Sequence, residues 1–126
     1  MIRQVLLIGV AGACGACARY GLTNAVHSFV GRDLPWGTIC VNVLGCLLFG
    51  LFTGLLDERL ALSTEVKAIL LTGFMGAFTT FSTYMYETHQ MLEDGRWIHA
   101  AGHMTLQNAV GFGAIILGLA ISRIGS

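Results

Sequence analysis

Residues 73–87 read GFMGAFTTFSTYMYE, a glycine- and hydroxyl-rich run inside a stretch otherwise apolar enough to cross a bilayer. A membrane helix needs about 20 mostly apolar residues. Centring such a span on residues 68–88 puts Phe78 at its middle and gathers Gly73, Gly76, Thr79, Thr80, Ser82 and Thr83 around it. One or two hydroxyls there would bond back to carbonyls a turn earlier, and glycines would let helices pack closely. Four hydroxyls within five residues, beside two glycines, point to a helix broken near the bilayer midplane. Freed carbonyls and amides at such a break can coordinate ions, and irregular backbone at that depth is tolerated only inside protein or along a water-filled cavity.

Outward from this run, the span covers residues 66–87, and three more apolar stretches cover 4–26, 37–56 and 100–121. The chain is 55% hydrophobic and 11% charged, against about 25% charged in a soluble domain. The fold class is therefore an all-α membrane protein of four transmembrane helices, one domain over residues 1–126, with the lipid bilayer as its solvent. The start, MIRQVLLIGVAGACGA, mimics a secretion signal, but its apolar run continues past a plausible cleavage point and reads as the first span. Charged connections follow the first span (Arg32, Asp33) and the second (Asp57, Glu58, Arg59).

Net charge is zero and no polybasic stretch is present, which gives no footing for nucleic acid. Cys14, Cys17, Cys40 and Cys46 all fall within apolar spans, as small packed thiols do. Arg3, Arg59, Lys67 and Arg123 share one side of the membrane, and Arg32 and Arg96 the other, joined by Arg19 if that residue ends the first helix. Such a small excess fixes no orientation by the positive-inside rule and permits insertion both ways.

Several side chains have a structural and a functional use. Phe81 and Tyr84, three apart, stack on one helix face as packing residues, or turn electropositive ring edges toward an anion. Asn42, in GTICVNVLGCLLFG (residues 37–50), and Asn108 in the fourth span each offer two donors and an acceptor, for an interhelical bond or for an ion. Gly50 and Gly54 add a small-x-x-x-small packing face. Arg19, in GACGACARY (residues 12–20), is a structural clamp or an anion attractant, because a guanidinium in hydrocarbon is costly without partners. Cys14 and Cys17 lack the second ligand pair of a metal site. His99 and His103 read as a solvated pair at the interfacial edge. No nucleophile with a base, paired carboxylates or phosphate loop is present, so no enzyme activity is expected.

In order along the chain, GACGACARY, GTICVNVLG, GFMGAFTTFSTYMYE and Asn108-x-x-Gly111 resemble the Fluc family of fluoride channels, also called CrcB-type proteins. The resemblance implies four-helix subunits in the bacterial inner membrane that pair as an antiparallel, dual-topology homodimer. It also implies two fluoride pores, a central structural sodium ion (Na+), and passive export of cytoplasmic fluoride. By motif, Asn42 would hydrogen-bond fluoride, Phe81 and Tyr84 would form the ring pair, and Ser82, Thr83 and Asn108 would lie along the pore. Gly76 and Thr79 would give backbone carbonyls to sodium, Glu87 would be the acid at the end of the third helix, and Arg19 the first-helix arginine. Two departures stand out: Tyr84 replaces the family's second phenylalanine, and Phe112 and Ile116 fall where a serine and threonine track often runs. The rival is a small multidrug-resistance-type four-helix exporter, which needs an acid deep in the membrane. The first span has none.

Overall fold

The computed structural model describes residues 1–60 and 62–124, with the side chains of Glu58 and Arg59 outside the described set. Four helical spans are long and apolar enough to cross a membrane: Ile2–Val30, Trp36–Asp57, Thr64–Glu93 and Trp97–Ser122. This is a multi-pass helical membrane protein, and each span reaches beyond its sequence-based bounds.

The first span is one helix, α1 (Ile2–Val30), which stops at Gly31 in the left-handed region at φ 83°. Arg19 therefore lies about three turns inside the helix rather than at its end. The second span is α2 (Trp36–Gly54), continued by a π-helical segment, Leu55–Arg59. Pro35, which has no N–H to satisfy and a fixed φ, precedes its first residue.

The third span is composite. It opens with α3 (Thr64–Lys67), capped by the Ser63 hydroxyl, runs as a π-helix through Ala68–Met75, and closes with the short α4 (Gly76–Phe78). Thr79 and Thr80 are extended, at φ −86°, ψ 162° and φ −151°, ψ 111°. Helix resumes as α5 (Phe81–Glu93), whose N-cap is the Thr80 side chain accepting from Thr83 N–H. Glu87 thus sits mid-helix, not at the end of the third helix. A Schellman turn closes α5: Arg96 N–H reaches Met91 O at 2.8 Å and Gly95 N–H reaches Leu92 O at 3.1 Å. Gly95, at φ 71°, supplies the left-handed residue that this turn requires. The fourth span is α6 (Trp97–Ser122).

Helix α2 packs along α6, while α1 lies against the π-helical part of the third span and α4. Val41, Met75 and Phe78 are buried together at the centre, flanked by Leu22, Leu44 and Phe74. The first and third connections meet where the Arg96 guanidinium donates to Asp33 O at 3.2 and 3.3 Å. At the other end Lys67 pairs with Asp57.

Backbone contact between α2 and α6 is what the glycines permit. A Cβ at Gly50 would overlap Ile115 O, one at Gly54 would overlap the Ser122 hydroxyl, and one at Gly118 would overlap Leu47 O. Gly118→Val should therefore push the two helices apart and destabilise the fold by about 1–3 kcal/mol or more, since backbone cannot step aside as a flexible side chain does. Thermal unfolding of the purified protein in detergent checks this, and a midpoint equal to the parent's would refute it.

Candidate functional site

The extended pair Thr79–Thr80 exposes backbone groups that a continuous helix would consume. Thr80 N–H, which would otherwise bond to Gly76 O, donates to Asn42 Oδ1 at 2.8 Å. Asn42 Nδ2 donates back to Thr80 O at 3.0 Å, so one carboxamide satisfies both polar groups of the interrupted residue. Thr79 keeps one helical bond, N–H to Met75 O at 3.1 Å, and its hydroxyl also donates to Met75 O. The carbonyl of Gly76 thereby loses its helical donor.

From Asn42 the polar contacts continue into the bundle. Its Nδ2 also donates to Gln107 Oε1 at 2.7 Å, and Gln107 Nε2 lies 3.3 Å from His103 Nε2. His103 Nε2 lies 3.7 Å from Glu87 Oε2, and Thr38 Oγ1 donates to Glu87 Oε1 at 2.6 Å. Thr38, His103 and Gln107 are all buried, and neither Glu87 Oε2 nor His103 Nδ1 has a hydrogen-bond partner among the described residues. The chain of contacts links two recesses. One, of about 350 Å³, is walled by Asn42, Thr79, Thr80, Phe81, Tyr84 and Gln107, with Asn108 also at its edge. The other, of about 270 Å³, lies by the first and third connections and has Glu87, His27, Arg32 and Arg96 in its wall.

Of the expected pore residues, the first recess brings together Asn42, Phe81, Tyr84 and Asn108. The Phe81 and Tyr84 rings meet edge to face, centroids 5.7 Å apart at 70°. Phe81 is 72% exposed and Tyr84 only 4%. The Tyr84 hydroxyl accepts from Asn108 Nδ2 at 2.9 Å, and no acceptor for its own proton is found among the described residues. Ser82 and Thr83 are exposed and outside this recess, with the Thr83 hydroxyl accepting from Thr80 Oγ1 at 2.9 Å. Gly76 is exposed and Thr79 half-buried. Arg19 is half-buried on α1 and forms no ion pair among the described residues.

The expectation of a solvated His99 and His103 pair is corrected for His103. It is 4% exposed, with its ring 5.2 Å from that of Tyr84 and its Nε2 near Glu87. The carboxylate comes from α5, so a search for partners along its own helix misses it. Gln107 and Thr38 are the site residues that the sequence reading passed over, and His103 is the one it placed at the solvated edge. A signal was available: His103 and Gln107 share the buried stripe of α6 with Ala100, Gly111, Gly118 and Ser122. Phe112 and Ile116, one and two turns past Asn108, point out of the bundle at 70% and 52% exposure.

Fold and site together define a polytopic helical membrane protein whose interior carries a connected run of amides and hydroxyls, suited to passing a small polar species. Residues 6–119 match the family described as CrcB-like protein, Camphor Resistance (CrcB), and the chain belongs to that family. The fluoride-specific ion channel FluC of Solidesulfovibrio magneticus is 48% identical over 124 residues, 98% of this chain and 99% of that protein. The fluoride-specific ion channel FluC of Nitrosococcus oceani is 47% identical at the same coverage. That of Maridesulfovibrio salexigens is 43% identical over 123 residues, 98% of each chain.

Proposed function

We propose that this chain is the subunit of a fluoride-selective channel that lets cytoplasmic fluoride out passively across the bacterial inner membrane. The supporting observation is the recess at the break, where the Asn42 amide, the Tyr84 hydroxyl and the Phe81 ring gather without a fixed charge in its wall. Fluoride is small and strongly hydrated, so a low-dielectric path must replace lost water with donors. Amide and hydroxyl protons and ring edges do so while leaving the ion free to move on, which a cation in the path would prevent. Membership of the CrcB-like family, with relatives that are named fluoride-specific channels, sets aside the multidrug exporter.

The assembly proposed is an antiparallel, dual-topology homodimer with two pores. Phe81 and Gly76 are exposed on the single chain, and covering them with a second copy would turn an open recess into a closed path. In this arrangement the break lies near the bilayer midplane. Sodium would be held there by the carbonyls of Gly76 and Thr79. Their fit rests on Gly76 O having lost its helical donor to Asn42, which leaves an oxygen of the type hard cations take. When bound, sodium supplies positive charge that offsets the cost of an anion nearby. Arg19 would attract anions, its charge unpaired among the described residues. Ser82 and Thr83 face outward on the single chain, and a pore role for them depends on the second copy.

Efflux from liposomes containing the purified protein tests the function. Fluoride should leave rapidly while chloride is retained; no fluoride release by folded protein would overturn the channel reading.

A further inference from the structure

We infer that Gln107 is a second amide ligand for the conducted ion, turned away from it in the ion-free protein by His103. The inference rests on the fluoride reading above. It follows from the direction of the hydrogen bonds, which one backbone group fixes. Thr80 N–H can only donate, so the Asn42 atom 2.8 Å from it is Oδ1. Asn42 Nδ2, which can only donate, then faces Gln107 at 2.7 Å, and the Gln107 atom there must be Oε1. Gln107 Nε2 is thereby directed at His103 Nε2, 3.3 Å away, and donates to it in the tautomer that carries the ring proton on Nδ1. Neither amide is a free choice between its two flips.

The consequence is that Asn42 has no donor to spare. One N–H goes to Thr80 O and the other to Gln107 Oε1. An anion bound by Asn42 displaces one of these two acceptors, and the Gln107 side chain, unlike the Thr80 backbone that also donates to Asn42, is free to turn aside. Rotation about the last side-chain bond of Gln107, a broad two-fold torsion, exchanges its oxygen and nitrogen. Asn42 and Gln107 then offer N–H groups to the same point, and two amides clamp the ion. The rotation also brings Gln107 Oε1 toward the accepting His103 Nε2, and two acceptors repel until the ring proton moves from Nδ1 to Nε2. His103 is thus a positioning residue that holds Gln107 in the ion-free direction, and Gln107 is the ligand that turns. Gln107 is 8% exposed and walls the same recess as Asn42, so the motion opens onto the site and not onto lipid.

Gln4, Gln90 and Gln107 are the only glutamines in the chain, which makes the test direct. In protein labelled with nitrogen-15 at glutamine, sodium fluoride should shift the Gln107 side-chain amide signal, sodium chloride should not, and the other two signals should stay in place. Gln107→Met identifies the signal and should slow fluoride efflux by about tenfold or more, the weight of one hydrogen bond to a charged group. His103→Phe should act in the opposite sense, reaching half of the amide shift at a lower fluoride concentration than the parent. A merely structural role would have both substitutions weaken binding. A conducting parent whose Gln107 signal ignores fluoride, or a His103→Phe protein that needs more fluoride, would overturn the inference. Parental liposomes that release no fluoride would instead overturn the channel reading beneath it.

Discussion

Asn42→Ala is expected to cut fluoride efflux by about a hundredfold or more while folded protein is still recovered. The substitution removes the amide at the break and orphans three groups at once: Thr80 N–H, Thr80 O and Gln107 Oε1. Leaving a buried polar group without its partner costs about 1–3 kcal/mol, and each 1.4 kcal/mol is about tenfold in rate. Loss of a donor to the ion and loosening of Thr79–Thr80 act in the same direction, so efflux should fall well below what either alone would give. The fold should survive because α2 is held along α6 by the close approaches at Gly50 and Gly54, beyond Asn42 on the same helix, and at Gly118 of α6. Fluoride-electrode traces from liposomes, read beside the size-exclusion profile, check both halves. Efflux at the parental rate from Asn42→Ala would mean that the ion does not pass this amide.

The four spans were legible because hydropathy and length determine them, and the fold adds only a few residues at each end. Thr79 and Thr80, which are extended, follow Gly76 in a stretch that no run of strong helix formers bridges. The π-helical turns through Ala68–Met75 left no mark in the sequence. A helix that widens by one residue per turn is chosen by what packs against it, here α1.

Contacts between spans were the illegible part. Asn42 had two readings from its own helix; that it grips the backbone of Thr80 depends on where α2 passes the third span. Glu87 looked like a residue near a helix end because apolar composition fades there, yet α5 continues to Glu93 and places the carboxylate beside Thr38 and His103. Asn108 drew notice over Gln107 because it lies in the Asn-x-x-Gly motif. One position of difference on α6 is about 100° of rotation, which puts Gln107 against Asn42 and Asn108 at the rim against Tyr84. Motif and register thus give separate information, and the register places His103 and Gln107 in the chain of buried polar contacts that starts at Asn42.

Phe81→Ile is expected to slow fluoride efflux by about tenfold or more with almost no loss of folded protein. Phe81 is the first residue of α5, immediately after the break, and it walls the same recess as Asn42 while remaining 72% exposed. A side chain that is mostly uncovered contributes little burial energy to its own subunit, and isoleucine keeps the surface apolar. What isoleucine lacks is a polarised ring edge, whose hydrogens carry partial positive charge toward an anion. Tyr84 gives the contrast: it is 4% exposed, packed against His103 and bonded to Asn108, so replacing it would disturb fold and path together. Phe81 therefore isolates the contribution of a ring edge from that of packing. If Phe81→Ile liposomes empty of fluoride at the parental rate, the Phe81 ring edge plays no part in conduction, and Asn42, Tyr84 and their neighbours carry the ion past the break without it.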